Sequence, residues 1–163
     1  MITALAEWSE FNVAMAGASA ALAGLVIVAA SVNIDKIIHA GTLTARLGAA
    51  IASLVLALVA SGAALIPQLD LLAYGIVVLA CALAAGAFQV HAMRVIMRDP
   101  APEQRARFAK SVLGYLPIVA YLTGGVLMIA GGSSGLVLVA AGCLLAIVSA
   151  IVVSWVVLVE VLR

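Results

Sequence analysis

The sequence predicts an all-α integral membrane protein: a single bundle of five transmembrane helices, 1–163, with its N-terminus out and its C-terminus in. Three observations predict it. Of 163 residues, 67% are hydrophobic and only 9% are charged, against about 25% charged in an average soluble domain. Mean hydropathy is +1.33, so the chain lacks the polar surface to cover even a small domain in water, and its apolar excess must face lipid. Finally, the charges fall in clusters separated by runs of bilayer-crossing length. The same composition excludes a disordered chain and a coiled coil, and two isolated cysteines exclude a disulfide scaffold.

The runs define the elements. Between Glu10 and Asp35 lie 24 uncharged residues, between Arg46 and Asp70 lie 23, and between Asp70 and Arg94 another 23. A helix rises about 1.5 Å per residue and the hydrocarbon core is about 30 Å thick, so each run fits one crossing. The run from Lys110 to Glu160 holds 49 residues and needs two. It contains Gly131-Gly132-Ser133-Ser134-Gly135, which suits a tight turn and would weaken a helix. The expected spans are therefore 11–34, 46–66, 71–93, 111–130 and 136–159.

Five crossings place all eight basic residues on one side. Lys36 and Arg46 flank the first loop, Arg94, Arg98, Arg105, Arg107 and Lys110 fall in the third, and Arg163 is the last residue. The other side holds Glu7, Glu10 and Asp70 and no cation. By the positive-inside rule the basic side is cytoplasmic. A cleaved signal peptide is the other reading of the first segment, because Ala16 to Ala20 are all small. The acidic residues before it and the lack of a basic n-region argue against that. Residues 1–10 place Ile2, Leu5 and Trp8 at helical spacing, which predicts either a short interfacial segment anchored by Trp8 or an extension of the first span.

Small residues at four-residue spacing mark helix-packing faces in membranes. The second span carries Ala45, Ala49, Ser53, Ala57 and Ser61, the fifth carries Gly142, Ala146, Ala150 and Ser154, and the first carries Ala16, Ala20 and Gly24. Pro117, with Gly114 before it and Gly124-Gly125 after it, predicts a kinked or locally opened fourth span. In the third loop, 94–110, Asp99-Pro100 is a helix-start signal. The five cations Arg94, Arg98, Arg105, Arg107 and Lys110 there are expected to contact anionic lipid. The patch is short and has no aromatic stacking platform, so nucleic acid is not an expected partner.

The sequence offers no catalytic set, no metal site and no cofactor motif. His39 and His91 have no partner at i+3 or i+4, and neither a phosphate loop nor a CxxC or HExxH pattern occurs. Cys81 and Cys143 lie in apolar stretches, where a thiol behaves as a small hydrophobe. Four intramembrane polar residues, Asn33, Gln89, His91 and Glu160, sit toward the cytoplasmic ends of their spans. They are read as interfacial caps, or alternatively as one polar vestibule.

The segments Glu7-Trp8-Ser9-Glu10-Phe11, Ala16-Gly17-Ala18-Ser19-Ala20-Ala21-Leu22-Ala23-Gly24-Leu25, Ser31-Val32-Asn33-Ile34 and Leu65-Ile66-Pro67-Gln68 resemble a family of small bacterial multi-span membrane proteins. Most members are uncharacterised, and some are labelled modulators of the FtsH membrane protease. The resemblance covers the first 70 residues and implies a bacterial inner membrane and a partner role. The expected function is thus a non-enzymatic accessory or modulatory subunit of a larger membrane assembly. The alternative is a homo-oligomeric ion channel or small-solute transporter with a narrow, mostly apolar pathway.

Overall fold

The computed structural model describes residues 5–39, 41–97 and 114–162. Every regular element among them is helical. A 3-10 turn, Ala6–Trp8, leads into α1 (Ser9–Val32), followed by α2 (Ile34–His39), α3 (Gly41–Ala64), α4 (Leu71–Met97), α5 (Tyr115–Ile129) and α6 (Ser134–Leu162). Four stretches, Ala6–Val32, Thr42–Ala64, Leu71–Met97 and Ser134–Val157, are long and apolar enough to cross a membrane. The fifth expected span is represented by α5, an apolar helix of 15 residues. At about 22 Å it is shorter than the hydrocarbon core.

Helix ends follow local chemistry. Asp70 caps α4 by accepting the Ala73 N–H on Oδ1 at 3.1 Å. The expected glycine turn closes α5 with paired carbonyl caps: Gly131 N–H donates to Met128 O at 3.0 Å and Gly132 N–H to Leu127 O at 2.9 Å. Gly131 takes φ +87° to allow this, a conformation open to glycine. Pro117 does not bend a helix. It falls in the first turn of α5, where its missing N–H has no i−4 acceptor to lose, so the helix starts there instead.

Successive helices alternate in direction. Gly75 of α4 lies against Gly125 and Met128, Gly86 against Ile118, and Gly114 against Gln89, so α5 runs antiparallel to α4. Gly124 meets Gly135, and Gly142 meets Tyr121, which makes α6 antiparallel to α5. Helix α3 packs on both α4 and α6 and completes a four-helix ring of α3, α4, α5 and α6. Helix α1 stands outside the ring, packed mainly against α3. Its inner face is Asn12, Ser19, Ala23 and Val26. Before it, Leu5 is buried, and Trp8 meets Phe11 edge to face at 5.8 Å.

Toward the end that holds Asp70 the interior of the ring is packed: Tyr74, Val78, Tyr121 and Met128 are all under 2% exposed. The outside is apolar as well, with Val32 79% and Trp155 70% exposed, a surface that water would not tolerate and lipid would. Glu7, Glu10 and Asp70 share one end of the bundle with the turns at 65–70 and 130–133, while Arg46 and Arg94 belong to the opposite end.

Candidate functional site

Two polar places lie inside the ring, separated along its axis. The first is a cavity of about 50 Å³ at the end that holds Arg46. Arg46 and Ser53 reach it from α3, Gln89 from α4 and Ser149 from α6, and Gly114 lies beside Gln89. The apolar remainder of the wall includes Ala49, Ala92, Ile96 and Val153. Helix periodicity produces this lining: Arg46, Ala49, Ala50 and Ser53 recur at three- and four-residue spacing on one face of α3. Seven residues separate Ser53 from Arg46, so the polar lining reaches about 10 Å into the helix bundle. The Gln89 carboxamide lies so close to Gly114 that a methyl group there would overlap it.

The second place is a closed cluster further along the axis. Tyr121 Oη donates to Cys143 Sγ at 2.9 Å, Ser61 Oγ lies 3.3 Å from the same sulfur, and Cys143 Sγ is 3.9 Å from Ala57 O. Ser61, Tyr121 and Cys143 are all 1% exposed or less. Gly142 makes room for the Tyr121 ring, since a Cβ there would sit 3.1 Å from ring carbons. The surroundings of Cys143 are therefore not purely apolar, as its sequence neighbours suggest; the hydroxyls come from two other helices. Cys81 is half-buried on the outer face of α4, in an apolar groove shared with α3. Both thiols are free.

Among the described residues, the intramembrane polar side chains expected from sequence, Asn33, Gln89 and His91, do not converge. Asn33 caps α1, with its Nδ2 donating to Ala29 O at 3.1 Å, and shares a crevice with Ser154 and Val157 on the α1 side of α3. Gln89 faces the ring cavity, whereas His91 is exposed on the outside of α4. Two residues differ by about 200° around a helix, so Gln89 and His91 cannot share a face. The side chain of Glu160 lies outside the described residues, as do Arg98, Arg105, Arg107 and Lys110. Arg94 is exposed at the cationic end.

The expected packing stripes divide. On α3, Ser53, Ala57 and Ser61 are buried and Ala45 and Ala49 half-buried; on α6, Gly142, Ala146 and Ala150 are buried and Ser154 half-buried. On α1, Ala16 is half-buried, but Ala20 and Gly24 point away from the rest of the chain, and nothing lies within 4 Å of where a Gly24 Cβ would stand. The closest backbone approaches instead use Gly75, Gly124, Gly125 and Gly135. Among the described residues, no group of three or more His, Cys, Asp or Glu is placed to hold a metal ion. Comparison with protein families, curated proteins and solved structures gives no match to this chain.

Proposed function

We propose that this chain is a five-span protein of the bacterial inner membrane that acts without catalysis, as an accessory or modulatory subunit held to its partner by helix–helix contacts. The observation that carries this reading is the position of α1. It lies outside the ring, and its outer face combines open glycines, Gly17 and Gly24, with the exposed Val13, Leu25 and Val28. Small residues between larger apolar ones let a second membrane helix approach closely. The packing of Tyr74, Val78, Tyr121 and Met128 across the ring supports this reading over a pathway through a single chain. The resemblance of the first 70 residues makes the FtsH protease the first partner to test.

Native mass spectrometry from mild detergent tests the reading. The expected result is co-isolation with a different membrane protein, abolished by Gly24→Leu while the fold persists, because that position opens onto empty space. A uniform ring of identical subunits that conducts ions in liposomes overturns it.

The membrane orientation has its own test. With Arg46, Arg94 and the basic loop on the cytoplasmic side, a fluorescent reporter fused after residue 105 is expected to fold and emit. A periplasm-dependent phosphatase is expected to be active when fused at Pro67. Phosphatase activity at residue 105 reverses the assignment.

A further inference from the structure

The largest concavity lies on the outside of the ring, between α3 and α4. This groove has a volume of about 460 Å³, and its walls include Gly48, Val55 and Val59 of α3 and Cys81, Ala84 and Phe88 of α4. Pockets that bury whole ligands measure about 300–1,000 Å³. Among the described residues, no side chain lining the groove carries an oxygen or a nitrogen. The walls face outward, with Val55 45% and Phe88 62% exposed. Small residues leave the space open: a Cβ at Gly48 would meet nothing within 4 Å. Eleven residues separate Gly48 from Val59, so the groove runs about 16 Å along α3, about half the thickness of the hydrocarbon core. It begins just past Arg46. It stops at Val59 and Cys81, each close to midway between the charges that bound its helix, Arg46 and Asp70 for α3 and Asp70 and Arg94 for α4. The groove therefore covers one leaflet, the one at the cationic end.

Length and charge select the occupant. A membrane helix crosses both leaflets; α1 of a second copy, at 24 residues, would extend far beyond a groove that ends at the midplane. A lipid acyl chain occupies one leaflet and is as apolar as this wall. The cationic end of the groove complements the other part of a phospholipid. His91 follows Phe88 by one turn on the outside of α4, and Arg94 stands one turn further; both are exposed. An arginine at headgroup depth extends its guanidinium to the interface, where it binds phosphate oxygens. We infer that the groove between α3 and α4 holds one acyl chain of a phospholipid, whose phosphate lies at the level of His91 and Arg94. This site is separate from the outer face of α1, so it stands or falls independently of the accessory role.

Dioleoylphosphatidylglycerol is the probe, titrated into the full-length protein after delipidation in detergent, with bound lipid counted by native mass spectrometry. One lipid per chain is expected to bind saturably and to slow maleimide labelling of Cys81 as it does so. Dihexanoylphosphatidylglycerol, with the same headgroup but chains too short to reach Cys81, is expected to do neither. Gly48→Leu fills the start of the groove. Its Cβ meets nothing and leucine is the better helix former, so the variant keeps the fold, and it is expected to weaken binding about tenfold, as removing two methylenes from contact would. Arg94→Gln is expected to weaken binding about fivefold, the attraction of one cation near the membrane surface. No saturable lipid in the parent, binding unchanged by Gly48→Leu, or equal binding of the dihexanoyl lipid overturns the site. Binding unchanged by Arg94→Gln overturns the placement of the phosphate. A dimer or a co-isolated protein that Gly48→Leu abolishes gives the groove to a helix and overturns the inference as well.

Discussion

Gly135→Val is expected to open the hairpin of α5 and α6 and to cost about 3 kcal/mol or more, at the upper end of overpacking penalties. A Cβ at Gly135 would stand 2.5 Å from the Gly124 carbonyl oxygen, 2.5 Å from Met128 Cγ and 3.1 Å from Met128 N. Two of those three obstacles are backbone, so no rotamer change relieves them. Between lipid-exposed helices there is little hydrophobic gain to offset the separation, because packing contacts themselves hold the pair together. Gly17→Ala provides the contrast. Its Cβ meets nothing within 4 Å, and alanine is the better helix former by about 1 kcal/mol, so that variant is expected to equal or exceed the parent. Reversible unfolding in mixed micelles with increasing SDS measures both. A Gly135→Val protein as stable as its parent would show that the two backbones do not approach as closely as this.

Much of the architecture was legible because it depends on local signals. Charge-free runs mark where α1, α3, α4 and α6 run, and the glycine run marks the turn between α5 and α6. What was not legible depends on which residues face one another. Gly124-Gly125 after Pro117 reads as part of a kinked or locally opened helix along the chain, but the structure uses these glycines for contact, with Gly125 against Gly75 and Gly124 against Gly135. The tight turn at 130–133 held the missing clue, since residues nearly equidistant from a hairpin turn meet across it. The same reasoning pairs Tyr121 with Gly142 and so brings its hydroxyl to Cys143. For the candidate site, Gln89 and Asn33 both stand near one end of the membrane, but depth says nothing about direction around a helix. Periodicity alone separates Gln89 from His91. The union of Ser53, Gln89 and Ser149 in one cavity required the relative register of three helices, which no local pattern in a single sequence supplies.

Tyr121→Ala is expected to destabilise the bundle by about 3–5 kcal/mol, the range for deleting a large buried aromatic side chain. Tyr121 is 0% exposed and belongs to the largest buried cluster, with Tyr74, Ala82, Met128, Val139 and Cys143. Removing its ring leaves a void against the flat surface at Gly142, which has no side chain to move into it. Tyr121→Phe separates the ring from the hydroxyl. It is expected to cost only about 1 kcal/mol, an ordinary net hydrogen bond, because Ser61 Oγ still lies 3.3 Å from the Cys143 sulfur. If the hydroxyl and thiol act as a pair, Cys143→Ala combined with Tyr121→Phe costs less than the two single changes added together, by 0.5 kcal/mol or more on the scale typical of contacting residues. Thiol labelling with an apolar maleimide gives a second readout: the half-buried Cys81 is expected to react in the parent, whereas Cys143 reacts only once Tyr121→Ala has opened its surroundings. The same variant tests function. If Tyr121 fills a core that only supports contacts with a partner, Tyr121→Ala liposomes stay as impermeable to ions as liposomes of the parent. If instead the ring encloses a pathway closed by that side chain, they leak.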